Sequence, residues 1–110
     1  MSKEVFILGG KRTPMGEYAG ALKDTSAIDL GAIAVRAALE TTGVAPNEID
    51  HTIIGNALQT SGDAIYGAQH VALKAGVPFD RPALTVNRLC GSGIQSIVSG
   101  AQMIQPTRPG

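Results

Sequence analysis

A single cysteine stands in Asn87-Arg88-Leu89-Cys90-Gly91-Ser92-Gly93, between an apolar run with strand character and an amphipathic run with helix character. A thiol at the first turn of a helix faces backbone N–H groups that lack intrahelical partners and the positive end of the helix dipole, and both favour thiolate over thiol. Thiolate is the form of sulfur that attacks a carbonyl carbon. Gly91 and Gly93 place no side chains beside the sulfur, so a substrate can approach it and the backbone can bend sharply between the two elements. Strand, tight turn and helix with a nucleophile at the bend make an arrangement that resembles a nucleophile elbow, built here on cysteine. Cys90 is therefore the candidate nucleophile. The competing reading is a small buried hydrophobe, the usual use of a lone free cysteine.

Other chemistry finds less support. One cysteine and the two distant histidines, His51 and His70, lack the spacing of a metal site. His51 precedes a strand pattern and His70 falls within a helix pattern, and both are assigned structural or solvated positions with no catalytic role. Gly9-Gly10-Lys11-Arg12-Thr13 fails the phosphate-loop pattern, because Val5 occupies the position of its first glycine and Arg12 follows the lysine.

Nine basic and nine acidic side chains leave no formal net charge, and no Lys/Arg cluster exceeds Lys11-Arg12, so a nucleic-acid partner is not expected. No apolar run approaches the ~20 residues that span a bilayer, and no membrane partner is expected. The chain begins a strand pattern within a few residues and shows neither a signal-peptide core nor an Arg/Ser-rich transit segment, which gives a cytoplasmic expectation. At 110 residues it is one domain or part of one, short for a complete α/β enzyme.

The elements that must position Cys90 follow from punctuation and period. Val5-Phe6-Ile7-Leu8, closed by Gly9-Gly10, reads as a strand buried on both faces. Residues 11–25 form an irregular connection broken by Pro14, Gly16 and Gly20. Ser26-Ala27-Ile28-Asp29 resembles a capping box, opening a helix with Leu30, Ile33, Ala34, Ala37 and Ala38 on its sheet-facing side and a stop near Gly43. A short helical turn is expected over residues 46–50 and a second strand at Thr52-Ile53-Ile54-Gly55. Asp63 can cap a second helix that runs through Tyr66, His70 and Leu73 to Ala75, with Gly76 and Pro78 as stops. A third strand spans residues 83–87. From Ser92 the positions Ile94, Ile97, Val98, Ala101 and Ile104 recur at helical spacing, so the third helix directly follows Cys90. Alternating strands and helices imply an α/β fold of βαβαβα type with a parallel sheet, whose active groups gather at the carboxyl ends of the strands. Residues 106–110 read as an irregular tail.

Val86-Asn87-Arg88-Leu89-Cys90-Gly91-Ser92-Gly93 closely resembles the nucleophile segment of the thiolases, the acetyl-CoA acyltransferase family. Lys11-Arg12-Thr13-Pro14-Met15-Gly16 resembles the thiolase N-terminal signature, and Ala72-Leu73-Lys74-Ala75-Gly76-Val77-Pro78 the segment ahead of the nucleophile strand. Order and spacing agree over roughly residues 4–105, a partial thiolase N-terminal domain. Gln69 departs from the pattern, since many thiolases carry an arginine there.

The resemblance implies that Cys90 takes the acyl group from an acyl-CoA or acetyl-CoA, forming a thioester that a second acetyl-CoA displaces or free CoA cleaves. Acyl-CoA is a substrate, and no separate cofactor or metal is implied. It also implies a homo-oligomer at the family's full length, and Arg12 and Arg88 as braces near the nucleophile or the subunit interface, with surface or helix-cap roles as the alternative. In the family the activating histidine, an asparagine that places a water and a second cysteine come from the C-terminal half, and none of their motifs occurs in these 110 residues. The expectation is thus a truncated or frame-shifted copy with a sheet incomplete relative to the family's five strands, an exposed strand edge, a poorly stable or molten monomer and no turnover on its own. Two other readings remain open: a non-enzymatic remnant or interaction module, and a relative of the ketoacyl synthases or hydroxymethylglutaryl-CoA synthases, whose nucleophile turns usually lack the Asn-Arg-Leu lead-in.

Overall fold

The computed structural model describes residues 3–105, so the expected tail at 106–110 lies outside the described residues. Helix α1 spans Ala27–Thr42, strand β1 Thr52–Gly55, helix α2 Gly67–Lys74, strand β2 Ala83–Val86 and helix α3 Ser92–Ile104, with short 3-10 turns at Pro46–Glu48 and Ala64–Tyr66. The two strands pair in parallel, Thr52 opposite Ala83 and Gly55 opposite Val86, and the ladder continues as the Asn56 N–H donates to the Val86 carbonyl at 2.9 Å. Side chains alternate across this ladder. Thr85 faces α2, whereas Ile53 and Gly55 face α3, so the helices cover opposite faces of the sheet.

Local chemistry sets the helix limits. Ser26 Oγ accepts the Asp29 N–H at 3.1 Å and opens α1, and Gly43 closes it at φ +73°, a backbone conformation that glycine adopts without steric cost. The Asp29 carboxylate reaches Lys74 of α2 at 2.9 Å, so the residue that begins α1 also ties the two helices. The start of α2 differs from the expected Asp63 cap. Asp63 makes no side-chain cap; instead Thr85 Oγ1 of β2 accepts the Ala68 N–H at 3.0 Å, so the sheet supplies the acceptor that the preceding loop does not. Asp63 is engaged elsewhere: Ser61 Oγ donates to one carboxylate oxygen at 2.8 Å, and His70 Nδ1 lies 2.8 Å from the other, its ring stacked on Tyr66.

The buried core is small. Ile28 and Ala32 of α1, Ala68, Val71 and Ala72 of α2, and Ala64, Ala75 and Val77 around it form one cluster between the two helices. Val71 sits against Gly31, where an added β-carbon would lie 3.0 Å from its Cγ2. The α1 face is therefore rotated from the expected one: the buried pair is Ile28 and Ala32, while Ile33 stays exposed. Both stripes have helical spacing, and α2 selects the one whose Gly31 admits Val71. The radius of gyration is 14.6 Å, against about 13 Å for a compact chain of this length.

The expected first strand is absent. Residues 5–8 have no ladder partner and lie on the surface, with Ile7 79% exposed. A strand exists only through bonds to a neighbour, and apolar content alone does not supply one. The described sheet therefore has two strands, with β1 and β2 each paired on one side only.

Two outcomes follow from these contacts. At Gly55 an added β-carbon would collide with the Ser92 carbonyl and the Gly93 nitrogen, so Gly55→Ala is expected to lower stability by about 2 kcal/mol in urea unfolding, against no loss for Gly62→Ala, which meets open space. The hydrogen bond and charge of Lys74 hold the Asp29 carboxyl below its ordinary 3.8, and hydrogen bonds from His70 and then Ser61 do the same for Asp63. With both folded values depressed, their stabilisation is present above pH about 4 and is lost as pH falls through the lower folded values. The urea midpoint should therefore fall as pH drops below about 4, and the fall should be shallower in the Asp29→Asn, Asp63→Asn double variant.

Candidate active site

Strand β2 ends at Val86, and the chain must then reverse from an extended strand into α3 within five residues. Asn87 begins the bend as an Asx turn: its Oδ1 accepts the Leu89 N–H at 3.0 Å, while its Nδ2 donates to the Ala57 carbonyl at 3.2 Å. Leu89 occupies the left-handed region at φ +50°, a conformation that costs a non-glycine residue roughly 1–2 kcal/mol and persists only where neighbours impose it.

Ser92 supplies the second restraint. It is 5% exposed, the only buried polar residue among those described, and its Oγ accepts the Arg88 N–H at 2.8 Å while donating to the Leu89 carbonyl at 2.7 Å. The Gly91 and Ser92 N–H groups turn back onto the Arg88 and Leu89 carbonyls at 3.0 and 3.1 Å. The result is a closed loop of backbone around Leu89, with Cys90 at its outer edge, exposed and free. Helix α3 has no side-chain N-cap, and the Gly93 and Ile94 N–H groups have no acceptor among the described residues. A β-carbon at Gly93 would meet nothing within 4 Å, so packing within this chain does not demand that glycine and the space beside it is open.

Cys90 thus stands one residue before the Gly91 cap of α3, beyond the carboxyl ends of two parallel strands. That arrangement can present a sulfur to a carbonyl group and point backbone N–H groups toward the oxygen that becomes charged as the bond forms. Arg88 donates to Gln95 Oε1 at 2.9 Å and braces the first turns of α3. Arg12 donates to the carbonyl of its neighbour Thr13 at 3.1 Å, within a segment that belongs to no helix or strand.

The histidines are placed apart from this turn. His51 precedes β1 at the opposite, amino end of the strands, beside a cavity of about 490 Å³ that Asp50, Ile53 and Met103 also line, and its buried Nδ1 has no partner among the described residues. His70 belongs to the Ser61, Asp63 and Tyr66 cluster at the start of α2. Sequence reasoning missed Asn87, Leu89, Ser92 and Gly55 as determinants of the turn. An asparagine two residues before a bend is a legible Asx-turn signal, whereas a leucine at positive φ and a glycine 37 positions upstream of Ser92 carry none.

Known proteins share this fold. Over 100 residues the chain is 56% identical to the mitochondrial 3-ketoacyl-CoA thiolase of Homo sapiens, matching 91% of this chain and 25% of that protein. Over 104 residues it is 45% identical to beta-ketothiolase BktB of Cupriavidus necator, matching 94% of this chain and 26% of that one. The crystal structure of the human mitochondrial enzyme in complex with CoA superposes with a TM-score of 0.88 over 90% of this chain and 25% of its own. For the Bacillus anthracis acetyl-CoA acetyltransferase the TM-score is 0.83 at 35% identity, with the same coverage. The chain therefore spans about a quarter of the length of the relatives it matches.

These relatives correct the cytoplasmic expectation, since four further mammalian proteins at 54–59% identity are also mitochondrial 3-ketoacyl-CoA thiolases. The composition of a folded domain reflects packing and solubility, which are alike in both compartments; the address is read from a separate segment. The family model described as thiolase, N-terminal domain, matches residues 5–108, which include the cysteine turn, and the chain belongs to the thiolase family.

Proposed function

We propose that this chain carries the acyl-accepting step of a thiolase-type transfer, with Cys90 as nucleophile and an acyl-CoA, acetyl-CoA in the simplest case, as donor. The observation that carries the reading is an exposed sulfur on a braced, left-handed turn at the uncapped head of α3. Relatives named as 3-ketoacyl-CoA thiolases and as acetyl-CoA acetyltransferases support the substrate class.

In this reading the Cys90 sulfur adds to the thioester carbonyl of acyl-CoA. The carbonyl oxygen takes the electron pair and is met by backbone N–H groups at the turn, that of Cys90 first. Collapse of the adduct expels the CoA sulfur, which leaves with the proton of the Cys90 thiol, and an acyl-Cys90 thioester remains. Carbon–carbon bond formation or thiolysis needs a further acid and base. His51 lies at the far end of the strands and His70 is held by Asp63, so these residues do not serve, and the chain by itself is limited to the first half-reaction.

Incubation with acetyl-CoA followed by intact-protein mass measurement is expected to show one acetyl adduct that maps to Cys90 and is absent from Cys90→Ser. Full alkylation of Cys90 by iodoacetamide with no acetyl adduct would instead favour a non-enzymatic relic of the fold.

A further inference from the structure

We propose that Asn87 is a positioning residue for the acyl-accepting sulfur, acting through the left-handed Leu89 that turns the chain toward Cys90. This inference rests on the reading of Cys90 as the nucleophile. The Asn87 amide uses both of its ends: Nδ2 donates to the Ala57 carbonyl at 3.2 Å and Oδ1 accepts from the Leu89 N–H at 3.0 Å. Ala57 belongs to the loop that leaves β1, and Leu89 to the loop that leaves β2. One side chain therefore joins the two strand ends at the place where the sulfur emerges.

Asparagine suits this work because its amide has a donor and an acceptor on one planar group, so each backbone partner finds the atom it needs. Serine supplies a smaller hydroxyl that cannot span both partners. Aspartate has no donor for the Ala57 carbonyl and sets oxygen against oxygen there. Leu89 gains nothing from its own side chain at φ +50°: it is 71% exposed, and left-handed backbone is unfavourable for a branched residue. Ser92 Oγ and the Gly91 and Ser92 amides hold the far side of the turn through the Arg88 and Leu89 peptides. Among the described residues only Asn87 accepts the Leu89 N–H. Without it the Arg88–Leu89 peptide keeps only the Gly91 N–H on its carbonyl, so its N–H edge can tilt, the sulfur shifts relative to the first amides of α3, and the attack geometry loosens. Because Asn87 is exposed, its loss should act locally rather than on the core.

The test compares the intact chain with Asn87→Ala, and with Asn87→Ala combined with Leu89→Gly. Glycine adopts positive φ without the steric cost that leucine bears, so it should recover part of the turn if Asn87 acts through Leu89. Asn87→Ala is expected to slow acetyl transfer from acetyl-CoA to Cys90 about tenfold while its thermal midpoint stays near that of the parent chain. The double variant should regain at least part of that rate. Acetylation of Asn87→Ala at the parent rate would overturn the proposal, and so would slowing that simply tracks a lowered thermal midpoint without recovery in the double variant. If the parent chain takes no acetyl group, the acyl reading fails by itself, and the rate of Cys90 alkylation by iodoacetamide decides the positioning role. Slower alkylation in Asn87→Ala, recovered by Leu89→Gly, supports the role, and equal rates in all three chains overturn it.

Discussion

Between Gly55 and the backbone of Ser92 there is no room for a β-carbon, and this approach governs where the head of α3 can stand. Gly55 is the last residue of β1, opposite Val86 at the end of β2. With the helix start pressed onto the strand end, the five residues between Val86 and Ser92 must reverse direction over a short span. Leu89 absorbs the reversal in the left-handed region, and Cys90 is carried to the outside of the bend. The position of the sulfur is thus set by a backbone contact with a distant strand, and the polar bonds of Asn87 and Ser92 keep the bend from relaxing.

Packing and polar satisfaction share the remaining work unevenly. The cluster between α1 and α2 is dominated by alanines, with Ile28, Val71 and Val77 as its larger members. Burying a full aliphatic side chain yields about 1.5–3 kcal/mol and an alanine much less, so such a core offers a modest hydrophobic contribution. Against that background the specific bonds count for more. Thr85 caps α2 from the sheet, Ser26 caps α1, and the Asp29–Lys74 pair ties one helix to the other. Residues 5–8 and the outer side of α3, including Ile94 and Ile97, meanwhile leave large apolar groups exposed.

Where a helix cap or an apolar period decides the outcome the sequence was read correctly, although the equally local Asx turn at Asn87 was missed. Ser26 and Gly43 bracket α1 as expected, because a cap hydroxyl and a left-handed glycine act through bonds within a few residues of themselves. Strands at 52–55 and 83–86 and a helix opening at Ser92 were likewise readable from apolar runs and helical period. Where two elements must meet, reading failed. Asp63 has the chemistry of a cap and sits at the right place, yet His70 and Ser61 engage its carboxylate while Thr85, 17 residues downstream of Ala68, serves α2. Val5 to Leu8 have the composition of a buried strand without a neighbour to make them one.

From the sequence alone it could be settled that the chain is a neutral α/β unit with one cysteine between a strand and a helix, in a segment of thiolase type. Charge, the lone cysteine and the strand and helix periods depend on residue type and spacing, while the thiolase type rests on resemblance to a known family. Only the tertiary structure decided that α1 turns Ile28 and Ala32 inward, that Leu89 takes positive φ, and that Gly55 and Asn87 govern the cysteine turn from both strand ends. Each of these depends on how closely two separated pieces of backbone approach, a distance fixed when the sheet and helices close on one another.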